Sequence, residues 1–474
     1  MTLTSVFFIF MALPTLLVAY ELVGLAARKH APTAGKVVLL LASLVFYAWS
    51  ASEYLPLLIL LACGNYVFAR ILGTARHGRR ALLALFVCVD VACLLYYKYF
   101  NFLGEQLAAI LPITFENVDI IQPLGISFLV FSLISYLVDV YRGTIQPDRN
   151  VLNVTLWATF FPKITQGPIA RYGEMFGPDA PAFTGTIKLD NLAYGTRRFV
   201  IGLAKKVMIA DVLGTTADAI FTAQASTGVD TATAWIGIIA YTFQIFFDFS
   251  GYSDMAIGMA AMFGFRLNEN FNYPYISKTV GEFWRRWHIS LSTWLRDYLY
   301  FPLGGSRRGN VYVNLLIVFL VSGFWHGAAW HYVFWGLWYG VFLIIDRIYR
   351  RYKDRLHLPV GVTWLFTMLV VVFGWVLFRA DDMGQAASYA LTMLGAGGAS
   401  AQQFAASYYL DARTVTLFVV GAFLSTPVIR DLCAKHDGER WLEIVRAIGI
   451  PVLFVLGAIW MVNSTYSPFL YAQY

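Results

Sequence analysis

Two histidines in unlike surroundings carry the sharpest chemistry this sequence offers. His326 stands in Ser322-Gly323-Phe324-Trp325-His326-Gly327, directly after the apolar run 312–321. A neutral imidazole can take a proton from an attacking hydroxyl near neutral pH. Such a base needs little water and a close path for the acceptor, and the flanking Trp325 and Gly327 suit both needs. His288 lies in Trp284-Arg285-Arg286-Trp287-His288, 38 residues earlier. A second imidazole could orient a reactant or share the proton load. Spacing alone leaves bland readings open: a helix-end histidine bonded to a carbonyl for His326, and an interfacial cap on a basic amphipathic helix for His288. Arg285, Arg286 and Arg296 could grip phosphates or simply meet lipid headgroups.

Carboxylates form a second group. Phe247-Asp248-Phe249-Ser250-Gly251-Tyr252-Ser253-Asp254 sets two acids in an apolar run. Asp248 and Tyr252 share a face if the helix continues, and Asp254 does not. The pair suits proton chemistry, and Asp248 suits equally a structural ion pair with a nearby arginine. In Phe161-Pro162-Lys163-Ile164-Thr165-Gln166-Gly167-Pro168, two prolines around Gly167 predict a broken helix lining a cavity, or a kinked connection. No Walker A, G-x-S-x-G or H-E-x-x-H pattern occurs. His331 is five residues beyond His326 and off its helical face, so no metal site is expected.

The elements that position these residues are membrane helices. Of 474 residues, 59% are hydrophobic and 13% charged, whereas a soluble domain is about 25% charged. Mean hydropathy is +0.62. The excess apolar surface has to face lipid, and 14 Trp and 28 Tyr suit membrane–water boundaries. The net charge of +7 reads as orientation-setting loops, and nucleic-acid binding is rejected. The four cysteines show neither disulfide nor zinc spacing. Apolar runs at 5–25, 54–70, 81–97, 122–140, 232–247, 312–325, 329–346, 362–378, 414–429 and 447–462, with 37–50 and 151–168 as shorter candidates, predict about 11 spans. Basic loops at 26–36, 70–80, 347–355 and 430–446 place those segments in the cytoplasm, and both termini outside. Residues 1–25 carry no Lys or Arg ahead of their apolar stretch and read as a retained span. Segments 196–212 and 278–301 mix charge with apolar residues, so they are expected to lie flat or to re-enter a protein-lined cavity. No repeat is visible, and residues 1–474 read as one membrane domain.

Five segments carry a resemblance: LGISFLVFSLISYLVDVYRG (124–143), FFPKITQGPIARY (160–172), QIFFDFSGYSDMAIGMAAMFGF (244–265), NFNYPYISKTVGEFWRRWHISLSTWLRDYLYFPLGG (270–305) and VSGFWHGAAWHYVFWGLWYG (321–340). Together they resemble the membrane-bound O-acyltransferase family, most closely its bacterial branch of alginate O-acetyltransferase type, and the likeness is densest over 120–345. The resemblance implies an all-α fold, a ring of tilted membrane helices and re-entrant segments around a central tunnel. It puts the family's acyl-transfer histidine on His326 and its preceding polar position on His288. It also makes Trp325, Trp287, Arg286, Asp248, Tyr252, Asp254, Gly167 and Pro168 candidates for the tunnel or substrate. The implied reaction draws an acetyl group from a cytoplasmic donor, acetyl-CoA, with no bound cofactor. It passes that group outward for O-acetylation of an exported polysaccharide. His326 would be the general base, a covalent acyl-histidine being a variant. Implied partners are a periplasmic or extracellular SGNH-type acetyltransferase and the polysaccharide synthesis and export machinery. The implied location is the bacterial inner membrane. A related enzyme that D-alanylates teichoic acid draws on a carrier protein instead. Competing functions are a transporter, which predicts repeated halves, and a non-catalytic scaffold.

Overall fold

The computed structural model describes residues 2–396 and 404–463, so part of the expected external loop 379–413 lies outside the described residues. The described chain is helical. The N-terminal helices are α1 (Leu13–Ala27), α2 (Ala31–Ala51), α3 (Leu55–Thr74), α4 (Arg79–Leu94) and α5 (Phe100–Ile110). There follow α6 (Ile126–Arg142), α7 (Val151–Thr159), α8 (Phe161–Ile164) and α9 (Tyr172–Phe176). The middle holds α10 (Leu189–Ala204), α11 (Asp211–Ser226), α12 (Thr231–Met262), α13 (Val280–Arg286) and α14 (Ile289–Leu295). The C-terminal part holds α15 (Val311–His326), α16 (Trp330–Leu356), α17 (Val360–Arg379) and α18 (Met383–Met393). It ends with α19 (Ala406–Tyr409), α20 (Ala412–Leu424), α21 (Val428–Lys435) and α22 (Arg440–Asn463).

Local chemistry sets many of these boundaries. Pro32 and Pro56 sit in the first turns of α2 and α3, where their missing N–H is no loss. Asn150, Thr279 and Asn310 cap α7, α13 and α15 by accepting a backbone N–H. Gly143 ends α6 at φ 76°, a left-handed position that glycine adopts without cost.

Among the described residues, five helical stretches are long and apolar enough to cross a bilayer, or six if the bent pair α20–α21 is one span. The longest stretch, Phe8–Thr74, contains α1, α2 and α3. The sequence expectation of about 11 also counted shorter or more charged runs, which fold as α6, α15 and α16. Many large apolar side chains are exposed on these helices, among them Leu22, Leu60, Leu365 and Val462. Lipid, not water, is the solvent that makes such a surface stable.

Contacts divide the chain into two units. The first comprises residues 1–200 and 252–269. Its α6 is buried on nearly every side, and α7 packs with it. Gly24 of α1 and Gly35 of α2 face Gly185 so closely that a Cβ on Gly24 would lie 2.2 Å from the Gly185 carbonyl oxygen. The second unit comprises residues 201–251 and 270–474. Its centre is the antiparallel hairpin α15–α16, against which α13 and α17 pack. A Cβ on Gly323 would lie 2.2 Å from the Tyr332 carbonyl oxygen, and one on Gly336 2.2 Å from that of Phe319. These glycines let the two backbones approach as small residues do in membrane helix pairs.

Segment 278–301, expected to lie flat or to re-enter a protein-lined cavity, is not one continuous helix. It breaks at Trp287 and His288 into α13 and α14, and the wide turn Arg296–Tyr300 follows. Segment 196–212 runs from α10 through the wide turn Lys205–Ala210 into α11.

Candidate active site

His288 is held by an unusual piece of backbone. It precedes α14 with φ 43° and ψ 55°, a left-handed conformation that is strained for a residue with a Cβ. Asn270 fixes the break. Its carbonyl accepts the Ile289 N–H at 2.9 Å, and its side-chain Oδ1 accepts from the Ser290 N–H (3.2 Å) and Ser290 Oγ (2.9 Å). The same Oδ1 is 3.1 Å from His288 Nδ1. An amide oxygen only accepts, so Nδ1 carries the proton and Nε2 presents a lone pair. The Phe249 ring meets the imidazole edge to face at 4.7 Å. His288 lies between two seven-residue helices, neither long enough to span a bilayer. Burial pushes its imidazole well below the usual range, so it stays neutral at physiological pH.

His326 is the last residue of α15 and is buried. Its ring is packed edge to face against Trp325 (4.9 Å), Trp335 of α16 (4.9 Å) and Phe378 of α17 (5.2 Å). Three apolar rings restrict water and fix the imidazole's orientation. Gly327 is required here by space, since a Cβ would lie 2.2 Å from the Tyr332 ring. Trp325 joins the two histidines: its ring is 6.4 Å from that of His288 and 4.9 Å from that of His326. The folded chain thus gathers on one indole the two imidazoles that the sequence separates.

A cavity of about 1060 Å³ is walled by α13, α14, α15 and α16; neither imidazole lines it, and Ser322 is its lining residue nearest in sequence to His326. Arg285, Arg296, Arg347, Arg350 and Arg351 line it and are exposed, so they mark its mouth. Trp284, Val318 and Ser322 line it and are buried, so they mark its inner end. Ser322 lies four residues before His326 on α15, which puts their Cβ atoms about 5–6 Å apart on one face. Guanidinium groups at a mouth with a largely apolar throat suit a long molecule that has anionic groups at one end and a reactive group at the other.

The remaining sequence candidates take other places. Trp287 is buried and packs on Trp375 at 4.8 Å and on Phe283 at 5.6 Å, close to His288. Arg286 points away from the cavity. It pairs with Glu282 at 3.0 Å and donates to the Asn272 carbonyl, and Arg285 takes the cavity position. Asp248 pairs with a lysine, not an arginine: Lys206 Nζ is 2.7 Å from Asp248 and 2.6 Å from Asp211. Helix α12 does continue through Tyr252, but that hydroxyl bonds to Thr165. Asp254 pairs with Arg198 at 2.7 Å, a structural tie within the first unit. Gly167 and Pro168 follow the short α8 in the first unit. A Cβ on Gly167 would lie 2.4 Å from the Lys163 Cα, so the broken segment folds tightly on itself.

Sequence reasoning missed Asn270, Trp335 and Phe378; the first two lie inside quoted segments, but an amide and an indole among many aromatic residues carry no chemical signal of their own. Ser322 was visible one turn before His326, but only the cavity gives that spacing a meaning. Among the described residues no group of three or more His, Cys, Asp or Glu is placed to hold a metal ion.

The model of the membrane-bound O-acyltransferase family matches residues 145–379. The chain is 38% identical over 501 aligned residues to a probable alginate O-acetylase AlgI of Pseudomonas putida, covering 100% of both chains. It is 33% identical to a peptidoglycan O-acetyltransferase of Helicobacter pylori, over 98% of this chain and 96% of that one. Similarity to a teichoic acid D-alanyltransferase of Bacillus subtilis is lower, 28% over 59% of this chain and 76% of the other. With relatives matched end to end and helices of this length and apolarity, the chain belongs to the membrane-bound O-acyltransferase family, in its alginate O-acetylase-like branch, and is a multi-pass membrane enzyme.

Proposed function

We propose that this enzyme takes an acetyl group from acetyl-CoA on the cytoplasmic side and passes it to an acceptor hydroxyl, as a step in O-acetylating an exported polysaccharide, with His326 as general base. The observation that carries this reading is the cavity with five arginines at its mouth and Ser322 at its inner end, one helical turn from His326. Coenzyme A carries phosphates at one end and the thioester at the other, which matches that polarity. Arg347, Arg350 and Arg351 belong to the basic loop that the positive-inside rule assigns to the cytoplasm, and with it both termini are external. The names of the relatives, an alginate O-acetylase and a peptidoglycan O-acetyltransferase, support a glycan as the final acceptor. The expected SGNH-type partner would receive the acetyl group outside and modify the polymer.

In the reaction, the acceptor oxygen attacks the thioester carbonyl carbon as His326 takes the hydroxyl proton. The carbon–oxygen bond forms, the carbon–sulfur bond breaks, and the leaving thiolate takes the proton back from His326. Neutral His288, fixed by Asn270, holds or polarises one reactant through Nε2.

The test is His326→Ala in cells and in membrane vesicles. Exported polymer should lose its acetate and vesicles should stop consuming acetyl-CoA, with the protein still present in the membrane. Vesicles should work only when acetyl-CoA meets the face carrying Arg347. Wild-type acetylation by the variant removes His326 from the reaction, and activity with acetyl-CoA on the opposite face alone reverses the proposed direction.

A further inference from the structure

The inner end of the cavity is rich in hydrogen-bond donors and poor in acceptors. Trp284 is 7% exposed and Ser322 1%, and both line the cavity. Neither the Trp284 Nε1–H nor the Ser322 hydroxyl has a hydrogen-bond partner among the described residues. Asp346 is the one carboxylate among the lining residues, and it is already engaged, accepting the Gly281 N–H at 3.0 Å and pairing with Arg350. Buried donors are nearly always satisfied, and leaving two dry in one place is costly. Trp335 and Trp375 also carry buried indole N–H groups without a partner, but neither lines the cavity. The cavity is what distinguishes Trp284 and Ser322.

Ser322 shares a helix with the proposed base, and Trp284 stands one ring removed from it, across Trp335. Ser322 is one turn from His326 on α15. The Trp284 ring meets Phe319 at 5.1 Å and Trp335 at 5.6 Å, and Trp335 in turn meets His326 at 4.9 Å.

We infer that the Trp284 Nε1–H and the Ser322 hydroxyl bind the carbonyl oxygen of the acyl thioester and stabilise the oxyanion that forms on it. This rests on the reading that His326 is the base for attack on a thioester held in the cavity. As the acceptor oxygen bonds to the carbonyl carbon, its proton moves to His326 and the carbonyl π pair moves onto oxygen. The indole N–H and the hydroxyl receive that charge. The pair returns as the carbon–sulfur bond breaks, and the thiolate leaves with the proton from His326. Donors fixed in a dry wall need no reorganisation when the charge appears, which is where such groups contribute most to rate.

The experiment compares Trp284→Phe, Ser322→Ala, Ser322→Thr and His326→Ala with wild type, each in membranes at matched protein level. It measures the initial rate of acetyl transfer from acetyl-CoA and the affinity of the purified protein for acetyl-CoA. Trp284→Phe keeps a large ring and deletes the donor, so kcat should fall about 100-fold while acetyl-CoA affinity changes less than threefold. Ser322→Ala should behave the same way, and Ser322→Thr, which keeps the hydroxyl, should recover most of the rate. Should Trp284→Phe fail to accumulate in the membrane, the Ser322 pair decides. Rates near wild type in Trp284→Phe or Ser322→Ala overturn the assignment, as does a loss of rate matched by an equal loss of affinity. If His326→Ala is itself active, the underlying reading is what fails, and that outcome is separate because it is scored on a different residue.

Discussion

At the scale of single residues, the candidate site holds two imidazoles in unlike surroundings. His288 is tied to Asn270 by a hydrogen bond, and His326 is packed among Trp325, Trp335 and Phe378. The difference predicts different mutational behaviour. His288→Gln should cost activity at least tenfold with little change in thermal stability, because the break in the backbone is held by Asn270 and survives the change. Asn270→Ala removes an oxygen that accepts three bonds, leaving the Ser290 N–H and hydroxyl buried without their partner. Each such loss costs about 1–3 kcal/mol, so thermal stability and acetyl transfer should fall together. Thermal unfolding of purified protein beside acetyl-transfer rates checks both. Equal stability loss in the two variants would show that the two roles are not separate.

At the scale of elements, the hairpin α15–α16 determines where His326 lies. Its crossing is set by Gly323 and Gly336, whose missing side chains admit the opposing carbonyls. Gly323→Ala would bring a methyl to 2.2 Å from the Tyr332 carbonyl oxygen, so the helices have to part. Overpacking of this kind costs about 1–3 kcal/mol, and here it also moves His326 relative to Trp335. The variant should unfold several degrees lower and lose most of its transfer activity. Gly361→Ala in the first turn of α17 is the control: nothing lies within 4 Å of the added carbon, so stability should hold or rise slightly. A Gly323→Ala protein with wild-type stability would mean that the close crossing is not required. The hairpin was partly legible in the sequence, because Gly323 and Gly336 lie in two consecutive apolar runs, 312–325 and 329–346. The break between α13 and α14 was not, because the residue that enforces it, Asn270, lies outside the segment.

At the scale of the molecule, positive charge is gathered at the mouth of one cavity, where the proposed donor would enter. Arg285, Arg296, Arg347, Arg350 and Arg351 come from three parts of the chain and converge on one cavity mouth. A charge-assisted bond to phosphate is worth about 1.5–3 kcal/mol, and each 1.4 kcal/mol is about tenfold in affinity. Arg285→Gln and Arg347→Gln should therefore each raise the KM for acetyl-CoA about tenfold and leave kcat within about twofold. Added salt should weaken binding more in wild type than in either variant, since screened charge is what each variant has lost. Unchanged KM in both would detach the arginines from the donor. Buried charge elsewhere serves structure: Lys206 lies between Asp211 and Asp248, and Arg198 ties Asp254 to Glu269.

Composition and spacing alone set the solvent of this protein, its helical class and the side chains offered as candidates for chemistry. Those properties follow from composition and local spacing: apolar runs too long and too many for a soluble core, and a histidine set between glycine and tryptophan at the end of one of them. The likeness of the five quoted segments supplied the family, which no count of residues contains. Only the tertiary structure decided that His288 and His326 meet across Trp325, that Arg285 and not Arg286 faces the cavity, and that Asp248 answers to Lys206. Those are relations between residues tens of positions apart. They are set by how closely backbones approach and by which buried polar groups find partners, and neither is written in the spacing of any one segment.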